Sequence, residues 1–155
     1  MDLLLWRHAH ALDALPGQSD MDRSLSRKGE KQAASMAKWL NARLPNNVLI
    51  LCSPAKRTRQ TVAYLDRAFS ICEDITPDAS AMALLRAADW PVAKQPVLVV
   101  AHQPFLAETV ELLLQLNPVS PLSFRKGGLW WLRHHTKDSS SEVQLVCVQN
   151  PEVVI

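Results

Sequence analysis

The sequence predicts an α/β domain of three layers, α/β/α, with a mostly parallel central sheet. Short apolar runs alternate along the chain with stretches of helical periodicity, the pattern of strand–helix–strand units. The runs at 3–6, 48–52 and 97–101 lack period-two alternation, so their strands are covered on both faces. Each run also ends in polar residues that lead toward the next element.

The length, 155 residues, suits a single domain over 1–155. A chain of this size buries roughly 70% of its unfolded surface, so it needs no disulfide or metal staple. Hydrophobic residues make 48% and charged residues 21%, which excludes a disordered chain. An eight-unit barrel enzyme needs about 200 residues or more and is excluded. The net charge of +2 is too mild to mark a nucleic-acid partner. The longest apolar runs are about five residues against roughly 20 for a membrane span. The N-terminus lacks the basic region of a secretory signal, so the expected location is cytoplasmic. Cys52, Cys72 and Cys147 have no CxxC spacing and read as reduced thiols.

Residues 3–6 form the first strand and run into Arg7 and His8. Residues 9–24, with Pro16, Gly17 and Asp20, read as loop. Ser26 is the N-cap of a first helix, whose apolar positions Ala33, Met36, Ala37, Leu40 and Leu44 recur at helical spacing. Pro45 stops it, and 48–52 is the second strand. Ser53-Pro54 reads as a helix start, with Ser53 as cap and proline at the first helical position; that helix is expected to reach about residue 68. A third strand is placed at 72–77 and a helix within 78–90. Pro91 and Pro96 bracket a turn before the strand at 97–101. A helix from 104 to 116 carries Leu106, Val110, Leu113 and Leu114. Residues 129–134 and 143–148 are a terminal antiparallel pair joined by a polar turn at 137–141.

Three strand ends carry chemistry. The first ends in Arg7 and His8. The second leads into a helix bearing Arg57, and the third ends in His102 and Gln103. Ligands of open parallel sheets bind beyond the carboxyl ends of the strands. If the three strands are neighbours, two arginines, two histidines and two helix N-termini converge on one crevice. That set suits a compact dianion, with phosphate foremost, because guanidinium matches its oxygens bidentately.

These residues resemble the histidine phosphatase superfamily, whose hallmark is an Arg-His-Gly triplet at the end of the first strand; here it is RHA at 7–9. DRSLSRKG (22–29), SPAKRTRQT (53–61), VVAHQP (99–104) and FRKGGL (124–129) resemble, in order, the segments of the small SixA-type phosphohistidine phosphatase branch. The resemblance covers most of the chain. It implies a phosphoglycerate-mutase-like fold and a hydrolysis with no cofactor and no metal. His8 would attack phosphorus to form a transient phosphohistidine. Arg7, Arg57 and His102 would bind the phosphoryl oxygens, with Arg23 and Gln103 among the substrate-binding residues, and inorganic phosphate would be the product. A protonated His102 would be the more useful form beside a dianion. The expected substrate is phosphohistidine on a partner phosphotransfer protein, steered by Arg23 and Lys28, with no nucleic acid or membrane partner. The sequence departs from larger members where they carry an acidic proton donor. Asp78 is the nearest candidate general acid, and an imidazole leaving group needs it little.

Two other readings stay open. His8 and His10 form a His-x-His pair that a metal hydrolase could use, with Asp13 and His102 recruited as further ligands. A phosphate-site module could also bind a phosphorylated partner without turnover. Ser53 reads as a cap, since no nucleophile elbow surrounds it. Cys52 reads as a small buried hydrophobe, and the tryptophans as packing residues.

Overall fold

A computed structural model describes residues 1–154. Its central sheet contains β1 (Asp2–Arg7), β2 (Leu49–Cys52), β3 (Ser70–Ile71), β4 (Val97–Ala101), β5 (Leu129–Lys137) and β6 (Ser140–Gln149), in the order β3-β2-β4-β1-β5-β6. The first four are mutually parallel, and β5 and β6 add an antiparallel hairpin beside β1. The helices are α1 (Arg27–Asn41), α2 (Lys56–Ala63), α3 (Ala81–Ala87) and α4 (Phe105–Leu113).

Side-chain alternation along the central strands explains the three layers. Leu3, Leu5, Val97 and Val99 point to one face and pack with Leu84 and Leu85 of α3 and with Phe105, Leu106 and Val110 of α4. Leu4, Trp6, Ile50, Cys52, Leu98 and Val100 point to the other and meet Met36 and Leu40 of α1 and Val62 of α2. Every residue of β4 is buried, as its unbroken apolar run requires. Trp6 is fully buried, and its indole nitrogen donates to the Gly127 carbonyl at 2.9 Å. That bond satisfies the one polar atom the ring takes into the core.

The N-cap of α1 is Ser26, whose hydroxyl accepts from Gly29 N–H at 3.0 Å. The strand at 97–101 also lies where expected, while several other boundaries shift. The third strand lies at Ser70–Ile71; within 72–77 the chain instead makes a 3-10 turn, Glu73–Ile75, that buries Ile75 in the core. The apolar signal there belongs to a core anchor in a turn. Ser53-Pro54 does not start α2. That helix begins at Lys56 behind Ala55, with no side-chain cap, and the Ser53 hydroxyl lies 2.7 Å from His102 Nε2. α2 ends at Ala63, short of residue 68, and α3 and α4 occupy only the centres of their predicted spans. β5 and β6 run longer than expected and close through Asp138 and Ser139, both at positive φ, the conformation of a tight two-residue hairpin turn.

Candidate active site

The sheet register assembles the site. Arg7 of β1 pairs with Ala101 of β4, and Cys52 of β2 pairs with Val100. His8, Ser53 and His102 are thus the first residues beyond three adjacent strand ends. His8 N–H donates to the Ala101 carbonyl at 3.1 Å, and Ser53 N–H to that of Val100 at 3.0 Å. The backbone of His8 is also held from behind, because Gly127 N–H donates to its carbonyl at 3.0 Å.

His8 is buried, and its Nδ1 lies 2.8 Å from the Ala9 carbonyl. A carbonyl only accepts, so Nδ1 carries the ring proton and donates it, which leaves the Nε2 lone pair unprotonated. Burial pushes the pKa of His8 well below its ordinary 6.5. The Ala9 bond opposes this, while His102, Arg57 and Arg7 add to it. The ring is therefore neutral and nucleophilic at neutral pH.

Arg57, in the first turn of α2, is almost fully buried. Its guanidinium donates to the Asp20 carbonyl at 2.8 Å and to Asp20 Oδ2 at 3.1 Å. Arg7 donates to the Phe124 carbonyl at 2.6 Å. Burial first, and then the charge of Arg57, lowers the pKa of Arg7. The ring centroids of His8 and His102 are 5.3 Å apart. His102 is buried, and its pKa falls to about 3 through burial first and Arg57 next, against the pull of Asp20. The expectation of a protonated His102 concerns the ring beside a bound dianion, whose charge would raise its pKa. In the free site the ring is neutral, because burial and then the charge of Arg57 disfavour a proton on it. Arg7 Nε, Arg57 Nε and His102 Nδ1 are buried with no hydrogen-bond partner. Two guanidiniums with unfilled donors beside a neutral histidine nucleophile suit a tetrahedral dianion.

Arg7, His8, Arg57 and His102 thus come together. Arg23 joins them one step out. Its Nε donates to the Leu12 carbonyl at 2.8 Å and its NH1 to Asp20 Oδ1 at 3.1 Å. The Gln103 side chain accepts from Ala107 N–H at 2.9 Å and so caps the first turn of α4. Asp78 does not join the cluster: it is exposed before α3 and makes no hydrogen bond or ion pair with any of the four. His10 turns away, with its Nδ1 2.6 Å from Ser26 Oγ. Among the described residues no group of three His, Cys, Asp or Glu side chains is placed to hold a metal ion.

Sequence reasoning missed Asp20, Ser53 and Thr61. Thr61 Oγ1 accepts from Ala9 N–H at 3.0 Å and donates to the Arg57 carbonyl at 2.8 Å, which ties the nucleophile's loop to the arginine's helix. The threonine ending SPAKRTRQT was the available signal, since it falls one helical turn after Arg57.

A family profile for the histidine phosphatase superfamily, branch 1, matches residues 3–82. The chain belongs to the histidine phosphatase superfamily. Within it the chain falls in the SixA-type branch. A phosphohistidine phosphatase SixA homolog from Haemophilus influenzae is 32% identical, with 77% of this chain and 82% of that protein covered. The crystal structure of a putative SixA from Agrobacterium tumefaciens matches with a TM-score of 0.80 at 28% identity, covering 97% of this chain and 98% of the other. A protein histidine phosphatase SixA complexed with tungstate matches at 0.73 and 25% identity, with 97% of each chain covered. Two uncharacterized Mycobacterium tuberculosis proteins are 45% identical over 56 residues, and there this chain spans 35% of the relative's length. Among the described residues no helix is long and apolar enough to cross a membrane.

Proposed function

We propose that this protein is a metal-independent phosphatase that removes phosphate from phosphohistidine on a partner protein. One observation carries the reading: the His8 Nδ1 bond to Ala9, 2.8 Å long, leaves Nε2 as a free lone pair beside Arg7 and Arg57. Nε2 of His8 attacks phosphorus, and the phosphorus–nitrogen bond of the substrate breaks. The departing imidazole leaves neutral when its other nitrogen holds a proton. Arg7, Arg57 and His102 hold the three equatorial oxygens, where charge spreads in the transition state. Water then attacks the phosphorus of phosphorylated His8, which frees the ring and releases inorganic phosphate. Arg23 lies at the edge of the site, within reach of the protein that carries the phosphoryl group. Gln103 has its amide oxygen committed to α4. Asp78 has little to do for a leaving group that departs neutral. Support for a phosphohistidine substrate comes from the SixA-type relatives; the tungstate held by one of them supports an oxyanion site. Tungstate is a tetrahedral oxyanion of the kind this site suits.

The test is a quench assay with a phosphohistidine protein, an aryl phosphate and a chelator present. The expected result is an acid-labile, base-stable phosphoenzyme that His8→Ala abolishes. Phosphate binding without a phosphoenzyme or turnover would make the domain a phospho-dependent binding module. Turnover lost to the chelator would return the metal reading, and much faster turnover of the aryl phosphate would end the phosphohistidine preference.

A further inference from the structure

Ser53 lies one residue beyond β2. It is fully buried, and its hydroxyl is 2.7 Å from His102 Nε2. We propose that Ser53 is a positioning residue: its hydroxyl fixes His102 in the Nδ1-protonated tautomer, so that a neutral ring donates Nδ1–H to the phosphoryl group. The catalytic consequence rests on the phosphatase reading above; the tautomer itself does not.

The assignment follows from counting donors and acceptors. Ser53 Oγ has one proton and two lone pairs. Its partners are Ala55 N–H, which donates to it at 3.4 Å, and His102 Nε2. If Nε2 held the ring proton it would donate to Oγ. The serine proton would then lack an acceptor, and Nδ1 would be a bare acceptor without a donor. If Ser53 donates to Nε2 instead, only the Nδ1–H is left without a partner. Unmade buried hydrogen bonds are costly, so the arrangement with one orphan is favoured over that with two.

The orphan falls in a telling place. Nδ1 is unpartnered together with Arg7 Nε and Arg57 Nε, and an anion is the acceptor that all three lack. The serine itself is held rigidly. Its N–H is in the sheet ladder, and its carbonyl accepts from Thr58 Oγ1 at 2.8 Å and from Cys52 Sγ at 3.3 Å. A second proton on the ring would reverse the serine bond, leave the serine proton without an acceptor, and bring a third positive charge beside two guanidiniums. The geometry therefore favours His102 as a neutral donor rather than an acid.

Nitrogen-15 NMR of the whole chain with labelled histidine tests the tautomer at pH 7. The expected spectrum has His102 protonated at Nδ1 and bare at Nε2; a protonated Nε2 overturns the proposal. No substrate is needed, so this result stands apart from any failure of the wild type to turn over. Single-turnover phosphoenzyme formation tests the consequence. Ser53→Ala should slow the step about 10- to 100-fold, less than the loss of a whole donor, with substrate affinity within about twofold because the donor acts in the transition state. In a His102→Gln background, Ser53→Ala should cost almost nothing more, since the serine acts through the ring. An equal cost in both backgrounds would make the role purely structural and defeat the proposal.

Discussion

Asp20 grips Arg57 with two atoms: its carbonyl accepts from NH1 at 2.8 Å and its Oδ2 from NH2 at 3.1 Å. The other carboxylate oxygen holds Arg23 at 3.1 Å. One acidic side chain thus orients two cations, and it also lowers the positive potential of the pocket. These two effects predict opposite changes. Asp20→Asn keeps the carbonyl contact but removes the charge. Inorganic phosphate should then inhibit several-fold more strongly, because one solvent-screened repelling charge is removed beside the pocket. The rate of phosphoenzyme formation should fall, because Arg57 is less firmly aimed. Inhibition constants and single-turnover rates measured together check this, and weaker phosphate inhibition would contradict it.

Arg57 itself should not tolerate a change of shape. Its guanidinium serves Asp20 on one side and has an unfilled Nε. A lysine keeps the charge but cannot keep two contacts and a planar fork at once. Arg57→Ala is expected to lose about 10²–10³ in kcat, the scale of removing one preorganised donor. Arg57→Lys should recover only a small part of that loss. Near-normal kcat in either variant would show that the arginine is not part of the clamp.

The two buried histidines make stability depend on pH. Both have folded pKa values below the ordinary 6.5, His102 at about 3. The unfolded chain therefore takes up protons first as pH falls. Their contribution is fully present above about pH 6.5 and is lost as pH drops through the window between 6.5 and the folded values. The limiting slope is about 1.4 kcal/mol per pH unit for each group. Urea melts at pH 7, 6 and 5 should show a falling midpoint, and His102→Gln should flatten the slope. The same shift keeps His8 unprotonated, so the acid limb of phosphoenzyme formation should lie below pH 6.5.

The layers and the four central side chains were legible because both follow from local patterns. Fully apolar strands such as 97–101 must be covered on both faces, and Arg7, His8 and His102 stand where those runs stop. Arg57 follows in the first turn of the next helix. What was not legible depends on partners distant in sequence. Ser53-Pro54 has the composition of a helix start, but the helix begins at Lys56 and the serine hydroxyl pairs with His102, 49 residues later. Asp20 lies in a polar loop where nothing marks its contact with Arg57, 37 residues on. The strand at Ser70–Ile71 is short and exposed, so it carries no hydrophobic signal, while buried Ile75 draws the eye to 72–77.

Gly29 is the tightest backbone contact near the nucleophile. A Cβ there would fall 1.9 Å from the His10 carbonyl oxygen and 2.9 Å from its carbon. Both are backbone atoms, so no side-chain rotation relieves the clash. The same carbonyl accepts from Ser26 N–H at 2.9 Å, which fixes the segment after His8 to the start of α1. In Gly29→Ala either the helix must back away or residues 8–11 must move. The gain in helix propensity, about 1 kcal/mol at most, cannot offset that displacement. A net loss of about 2–4 kcal/mol is expected, at the upper end for single substitutions. Activity should fall with it, because the displaced segment carries Ala9, whose carbonyl sets the His8 tautomer. Thermal melts and phosphoenzyme formation on the same sample check both halves. A variant as stable as wild type but slow would place the whole effect on the nucleophile's loop. One both stable and fast would mean that the helix and loop separate more easily than this contact implies.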